Sequence, residues 1–292
     1  MNYQTKVLVD GLGFPEDPRW HGGRLWFSDM DSMFVMTADL EGNTTRVVEV
    51  KGTPSGLGWS PDGDLMIVSM ADRRLLRFTG EKLEEIANLW DLASFNCNDM
   101  VVNEQGRAYI GNFGFDFEAS DPYAPGEIVT VSPEGTAEIA ADNLAFPNGM
   151  VITPDGKILI VSETLGERLT SFDINEDGSL TNRRTWAVLE GMTPDGIALD
   201  SEGEVWVASP VSGGVFRVHE GGEITDKVSV SKQAYACVLG GTDRKTLFVM
   251  VSSPLEQLFH LKGIPFYRDV ESSEPGGKIE YCRVGVRGAG RP

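Results

Sequence analysis

One hairpin-like pattern recurs six times along the chain. In each copy, an apolar stretch leads into a tight turn and a second apolar, β-rich stretch follows; the turns centre on Gly23, Gly63, Gly106, Gly156, Gly203 and Asp243. Successive turns are 40, 43, 50, 47 and 40 residues apart. Each unit has room for about four short strands, which is typical of a propeller blade. The repeat therefore predicts an all-β fold, a six-bladed β-propeller, with residues 1–292 as one domain.

A β-sandwich would also contain many short strands, but it would not give six similar hairpins at one period. Helical periodicity is nearly absent, and only Lys82–Ala93 fits a helical turn or two. Because ring closure removes exposed sheet edges, we expect the N-terminal strand around Thr5–Val9 to pair with a C-terminal strand around Lys278–Val284.

The charge balance limits the partners of the protein. The chain has 25 Lys and Arg against 44 Asp and Glu, a net charge of −19, which argues against nucleic acid and anionic membranes. No cationic leader or apolar stretch of about 18 residues is present, and the three cysteines have no paired spacing. We therefore expect a soluble cytoplasmic protein that acts on a small molecule; the oligomeric state stays open.

Aligning the six copies identifies one position that is polar in every blade. It lies four residues before the apolar anchor that precedes the turn, and it is occupied by Glu16, Ser55, Asn98, Asn148, Asp195 and Tyr235. The first strand of each blade lines the channel, so these residues form a ring at one height. We call it the mouth ring.

The mouth ring has the composition of a metal site. Two confined carboxylates repel each other and lose hydration, and a bound cation removes both costs. Two carboxylates and two carboxamides are oxygen ligands that suit a hard cation, so we predict one divalent ion, preferably Ca²⁺, with Mg²⁺ and Mn²⁺ as alternatives, held by Glu16, Asn98, Asn148 and Asp195. The competing interpretation is that these polar residues only cap strand starts.

Several segments resemble blade signatures of the senescence marker protein/gluconolactonase family, also called regucalcin-like. These segments are PEDPRWHGGRLWFSD, NDMVV, GRAYIGNFGFD, FPNGMVITPDGK and PDGIALDSEGEVWVA, and the resemblance runs from Gly11 to Pro292. It implies a six-bladed propeller with one catalytic metal held by Glu16, Asn148 and Asp195, and Asn98 as a further ligand or a substrate contact. Members use Ca²⁺, Zn²⁺, Mn²⁺ or Mg²⁺, and most are lactonases.

The resemblance also implies a chemistry, namely metal-assisted hydrolysis of a cyclic ester. The cation would polarise the carbonyl and stabilise the developing oxyanion. Asp195, alone or together with Asp99, is expected to act as general base or as nucleophile, and the sequence leaves both routes open. Sugar-lactone members often carry an Arg two residues before the Asn of the NDG-like motif, where this chain has Asn96.

Two long loops are expected beside the mouth ring because each follows the second strand of its blade. They are Phe113–Gly126 and Ser253–Gly277, and they carry Phe113, Phe115, Phe117, Tyr123, Phe259, Phe266 and Tyr267. They predict an apolar cleft for a substrate less polar than a sugar lactone, although these aromatics could instead pack the loops onto the blade tops. The candidate substrate-binding residues are Asn96, Asn98, Asn112, Phe113, Tyr123, Tyr235 and His260.

Other functions remain open at this point. A related propeller group hydrolyses organophosphates, so an organophosphate or ester hydrolase could use the same site. A non-catalytic propeller that binds calcium or a partner protein would not need a carboxylate–amide ring at the channel mouth. A metal-free condensing enzyme would gain nothing from four oxygen ligands.

Overall fold

The computed structural model describes residues 1–119, 121–262 and 276–290. Within these residues the chain forms 25 strands and one short helix, α1 (Glu256–Leu261). The strands are β1 (Asn2–Gln4), β2 (Lys6–Leu12), β3 (Pro15–His21), β4 (Arg24–Asp29), β5 (Phe34–Ala38), β6 (Thr44–Glu49), β7 (Pro54–Trp59), β8 (Leu65–Ser69), β9 (Arg74–Phe78), β10 (Leu83–Asn88), β11 (Cys97–Val102), β12 (Ala108–Asn112), β13 (Gly126–Val131), β14 (Ala137–Leu144), β15 (Pro147–Ile152), β16 (Ile158–Glu163), β17 (Arg168–Ile174), β18 (Leu180–Val188), β19 (Ile197–Leu199), β20 (Val205–Ser209), β21 (Gly214–Val218), β22 (Ile224–Ser229), β23 (Gln233–Gly240), β24 (Thr246–Ser252) and β25 (Gly277–Arg283).

The described strands form six sheets, which confirms the six-bladed propeller. Blades 1 to 4 are the antiparallel sheets β3–β6, β7–β10, β11–β14 and β15–β18; blade 5 contains β19–β22 with β1, and blade 6 contains β23–β25 with β2. The first strands β3, β7, β11, β15, β19 and β23 each contact the next one around the ring, and β23 contacts β3. The first strands therefore enclose the channel.

The ring closes where the sequence predicted. Strand β2 pairs antiparallel with β25, with Lys6 opposite Tyr281 and Val7 opposite Glu280. Strand β1 then pairs in parallel with β22 of blade 5, so the N-terminal segment joins two neighbouring blades. Closure by pairing the two chain ends covers an edge that would otherwise expose unpaired backbone groups.

Apolar side chains from neighbouring blades pack together between the sheets. One such core joins Trp206 and Val215 of blade 5 to Leu239, Leu247 and Val249 of blade 6. Burying a large apolar side chain contributes roughly 1.5–3 kcal/mol, so these seams hold the blades in fixed positions around the channel.

The hairpin turns and the loops after the second strands lie at opposite ends of the channel. Five of the predicted turn centres adopt a positive φ: Gly23, Gly63, Gly106, Gly156 and Gly203. Glycine reaches this conformation without the penalty that a side chain imposes. Turn residues Pro154, Gly203 and Asp243 border a depression at the far end, whereas five of the six mouth-ring residues border a different cavity.

One secondary-structure prediction was wrong. Within Lys82–Ala93, residues Leu83–Asn88 form β10, which pairs with β9. Cross-strand pairing at the blade edge overrides the helix propensity of Lys, Glu, Leu and Ala in this segment. No helix in the described part of the chain is long and apolar enough to cross a membrane.

Candidate metal centre and surrounding cavity

Four mouth-ring residues line one cavity at the channel mouth. Glu16, Asn98, Asn148 and Asp195 border a space of about 520 Å³, and each is less than a tenth exposed. Tyr235 lines the same cavity, whereas Ser55 is buried behind it. The structure thus brings together the two carboxylates and two carboxamides that were predicted to hold a metal.

Local irregularities in the first strands occur at three of the four predicted ligands, Glu16, Asn98 and Asn148. Register shifts occur between Glu16 and Arg19, between Cys97 and Met100, and between Pro147 and Met150. Such bulges redirect a side chain out of the regular alternation of a strand. The same irregularity also occurs between Pro54 and Leu57 of blade 2, so it recurs at the equivalent point of four blades.

Glycines follow the ring residue where neighbouring first strands meet closely. A Cβ on Gly149 would lie 2.7 Å from the backbone oxygen of Asp195, and a Cβ on Gly196 would lie 2.5 Å from the Cβ of Ala236. A larger residue would push the strands apart. This explains in physical terms why the segments Pro147–Asn148–Gly149 and Pro194–Asp195–Gly196 share a glycine.

The two mouth carboxylates lack a compensating side-chain cation. Burial, followed by repulsion from Asp195 and Asp99, raises the pKa of Glu16 well above its usual range. Burial and then Asp99 raise the pKa of Asp195 in the same way, although a hydrogen bond with Asn148 opposes this. Among the described residues that line the cavity there is no Lys, Arg or His. The site therefore carries an electrostatic cost that a bound cation would remove.

The amides are available as oxygen ligands. The Nδ2 group of Asn148 donates to Thr164 Oγ1 at 3.2 Å, and Thr164 in turn donates to the Pro194 carbonyl at 2.9 Å. The Nδ2 group of Asn98 is buried and has no hydrogen-bond partner among the described residues. Amide oxygen and nitrogen exchange places by a half-turn, so Asn98 can present its oxygen to the cavity without losing a bond there.

The donor set fits a hard divalent cation. No three His, Cys, Asp or Glu side chains of the described chain form a metal-binding group by themselves. Coordination would therefore draw on amide oxygens as well as on Glu16 and Asp195, which is the ligand chemistry of Ca²⁺ rather than of a His- or Cys-rich zinc centre.

Asp99 lies beneath the ring rather than on the cavity surface. Its side chain is buried and is absent from the described cavity lining. Burial raises the pKa of Asp99 to about 6, and the nearby Arg19 opposes that shift. The geometry therefore gives Asp99 an electrostatic influence on the mouth carboxylates, and does not place it against a substrate.

Three predicted substrate-binding residues do not reach the cavity. Asn112 is fully buried, and its amide binds Glu127 Oε2 at 2.9 Å and the Gly114 N–H at 3.0 Å, so it shapes the loop. The Tyr123 ring is 54% exposed and packs edge-on against Phe115. The His260 side chain is 65% exposed, on the face of α1 beside Glu256.

Asn96, Phe113 and Tyr235 do line the cavity. The Tyr235 hydroxyl donates to the Ser253 carbonyl and accepts from the Leu255 N–H, both at 2.9 Å. Its phenol group thus holds the start of the blade 6 loop while its ring faces the cavity.

The cavity walls are largely apolar, as the aromatic residues of the two long loops predicted. Phe113 stacks on Phe146 with ring centroids 4.7 Å apart, and Phe117 packs edge-on against both rings. The remaining apolar side chains in the described lining are Phe14, Met30, Met33, Met70, Ala71, Phe95, Leu255, Leu258 and Leu261. Phe115 lies behind this wall, Phe259 belongs to α1, and Phe266 and Tyr267 fall outside the described residues.

Phe14, Thr53 and Phe146 line the cavity but were missed, although the repeat contains a signal for them. Like the predicted Asn96, each of them lies two positions before a ring residue. They form a second, outer level of the same blade alignment. Thr164 follows the second strand of blade 4, and no motif marks it.

Six blades around a channel, with uncompensated carboxylates and amides at its mouth, define a propeller with a candidate metal centre. Residues 14–253 match the family model described as the SMP-30/Gluconolactonase/LRE-like region, and the chain belongs to this family.

The chain is also similar to individual members of known families and to solved structures. The chain is 28% identical over 217 residues to a 6-deoxy-6-sulfogluconolactonase of Pseudomonas putida, covering 73% of this chain and 69% of the relative. It is 26% identical over 292 residues to regucalcin of Gallus gallus, covering 97% and 95% of the two chains. A calcium-binding regucalcin from Agrobacterium tumefaciens has a similar fold, with a TM-score of 0.78, 22% identity and coverage of 100% and 97%.

Proposed function

We propose that this protein is a divalent-metal-dependent hydrolase that opens a lactone, with Ca²⁺ as the preferred metal. The observation that carries the proposal is the pair Glu16 and Asp195, which are buried at the channel mouth with no side-chain cation in the described lining. The lactonase and calcium-binding names of the relatives support it.

Each mouth residue has a defined task in this proposal. Glu16, Asn148 and Asp195, with Asn98, would hold the cation, which when bound would polarise the ester carbonyl and stabilise negative charge on its oxygen. Asp195 either accepts a proton from the attacking water or attacks the carbonyl carbon itself. In both routes the ring C–O bond breaks, water is added overall, and the product is a hydroxy acid.

The cavity walls favour an uncharged, apolar lactone. The rings of Phe113, Phe117 and Phe146 offer apolar contact area, and the described lining has no cationic group to pair with a substrate carboxylate or sulfonate. Burying an unpaired substrate anion beside Asp31, Asp116 and Glu118 would be unfavourable. A lactone with an alkyl or aryl substituent should therefore be a better substrate than a sugar lactone or an anionic lactone.

A lactone panel assayed with and without chelator tests the proposal. Alkyl- and aryl-substituted lactones, sugar lactones, a sulfonated lactone and a phosphotriester would be compared for wild type, Glu16→Gln and Asp195→Asn. We expect Ca²⁺-dependent turnover that is highest for the apolar lactones and is lost in both variants. Full turnover in both variants would contradict the site assignment, and turnover of sugar lactones alone would contradict the substrate class.

Calcium binding without catalysis is the second candidate, and the calcium-binding name of the structural relative favours it. It predicts tight Ca²⁺ binding that depends on Glu16 and Asp195 but no turnover of any lactone or ester. Calorimetry combined with the panel separates the two functions, because only the hydrolase shows both properties.

A further inference from the structure

A second layer of the channel lies directly beneath the mouth ring. The residues three positions after each ring residue are Arg19, Gly58, Val101, Val151, Ala198 and Val238. Five of them, all except Gly58, border a small void of about 30 Å³ on the channel axis. Arg19 is thus the one charged member of an otherwise apolar layer.

The guanidinium of Arg19 is buried and bonded to three blades. Its Nε donates to the Leu57 carbonyl at 3.1 Å, its Nη1 to the Pro18 carbonyl at 2.9 Å, and its Nη2 to the Met100 carbonyl at 2.6 Å. The same Nη2 lies 2.8 Å from Asp17 Oδ1. A planar group with several donors is suited to such a fixed, multi-point contact, and an ammonium group is not.

Asp17 links Arg19 to the predicted ligand Glu16. It is buried within the bulge and has a φ of +43°, which is uncommon for a residue with a side chain. Its Oδ2 accepts the Leu57 N–H, and its own N–H donates to Glu16 Oε2 at 3.0 Å. The equivalent position is glycine in three other blades: Gly56, Gly149 and Gly196.

We propose that Arg19 is a positioning residue for the metal centre: its guanidinium holds Asp17 in the bulge, and Asp17 in turn fixes the carboxylate of Glu16 at the channel mouth. Arg19 does not touch the cavity surface near Glu16, so it acts through Asp17. The inference rests on the proposed metal site, which the wild-type protein tests separately.

This role is tested by titrating Arg19→Met and Arg19→Lys with Ca²⁺ and measuring the binding by calorimetry. Loss of a group that orients a ligand typically costs 10–100-fold in metal affinity, so we expect Arg19→Met to weaken Ca²⁺ binding by about 10-fold or more. Arg19→Lys should recover only part of the affinity, because it restores the charge without the three carbonyl contacts. Turnover at saturating Ca²⁺ should show a lower kcat with KM nearly unchanged.

Unchanged or tighter Ca²⁺ binding by the Arg19 variants would contradict this role. If Arg19 acted only as a nearby positive charge, its removal would tighten Ca²⁺ binding; affinity equal to or tighter than wild type would overturn the proposal. Arg217→Met is the matched control, because Arg217 is a buried arginine of blade 5 away from the mouth. It should lose stability and keep wild-type Ca²⁺ affinity.

A double variant covers the case in which Arg19→Met does not fold. Asp17→Asn/Arg19→Met removes both charges of the ion pair, and Asn tolerates a positive φ. We expect it to bind Ca²⁺ as weakly as Arg19→Met, whereas wild-type affinity would overturn the proposal. Failure of the wild-type protein itself to bind Ca²⁺ would instead reject the proposed function.

Discussion

Two groups of buried carboxylates in this propeller have opposite surroundings. In blade 5, Asp200 is buried with its Oδ2 2.7 Å from Arg217 Nε, and the same guanidinium also contacts Glu202 and Glu204. At the channel mouth, Glu16 and Asp195 are also buried, but the described lining offers them no basic side chain. The blade 5 carboxylate has its own counter-ion, whereas the mouth carboxylates have none in the described lining, and we propose that a metal ion takes that role.

Blade 4 shows that this difference does not arise simply from position near the mouth. Glu163 precedes the cavity residue Thr164, yet it pairs with Arg168 at 2.7 Å and with Arg183 at 3.3 Å. Removing one partner of a buried pair leaves an uncompensated charge, while removing a mouth carboxylate relieves repulsion. The two groups should therefore respond in opposite ways to mutation.

Asp195→Asn is expected to give the largest effect, and the effect should be on function. If Asp195 is the proposed catalytic group and metal ligand, its loss should lower lactone turnover by about 10³-fold or more. Stability without metal should not fall, because one buried charge is removed. Initial rates measure the turnover, and denaturant unfolding in the presence of chelator measures the stability of the metal-free protein. A large loss of that stability would contradict the proposed difference between the mouth and blade 5.

Arg217→Met should give the next largest effect, this time on stability alone. It leaves Asp200 buried without its counter-ion, which costs about 3–5 kcal/mol of unfolding free energy. Turnover of the folded variant should match wild type. Urea unfolding followed by tryptophan fluorescence measures the loss, and an unchanged midpoint would show that the blade 5 network is not structural.

Glu163→Gln should give a pH-dependent effect of smaller size. Burial alone raises the pKa of Glu163, but hydrogen bonds from Arg168, the Ala145 N–H and Thr170 outweigh burial, so the pKa lies below its ordinary 4.5. An acid with a lowered pKa stabilises the fold above its unfolded-state pKa, and this contribution is lost as the pH falls through the folded value. The stability difference between wild type and variant should therefore shrink from about pH 6 to about pH 3. A difference that grows on acidification would contradict the ion-pair assignment.

Asp243→Asn is expected to have the smallest effect and serves as the control for removing a carboxylate. Asp243 pairs with Arg283, and both side chains are about half exposed. Exposed pairs contribute little because water and salt screen them. Neither turnover nor the unfolding midpoint should change measurably. A clear loss of turnover would show that removing a carboxylate anywhere disturbs the protein.

The blade architecture could be predicted because each blade corresponds to one copy of a repeat in the sequence. Six turns at similar spacing predicted the sheets, and the closing partners of the N-terminal strand were placed within a few residues. The segment Leu83–Asn88 was misjudged because strand pairing, a long-range contact, overrides local propensity. Helix α1 was not foreseen because it lies in a loop that has no counterpart in the other blades.

The residues that lie at one height along the channel could be predicted from the repeat. The directions of the loop side chains could not. Alignment gives the height of a residue along the axis, so Glu16, Asn148 and Asp195 were brought together from the sequence. It does not say which way a loop side chain points: Asn112 turns inward to bind Glu127, and Tyr123 turns to solvent. Such choices depend on packing partners that are distant in sequence.

The most direct test of the central claim is a measurement of bound metal. Wild type, Glu16→Gln, Asp195→Asn and the control Asp243→Asn would be equilibrated with Ca²⁺, separated from free ion, and measured by inductively coupled plasma mass spectrometry. The account predicts one ion per chain in wild type and control, and almost none in the two mouth variants. Equal Ca²⁺ in all four proteins, or none in wild type, would contradict it.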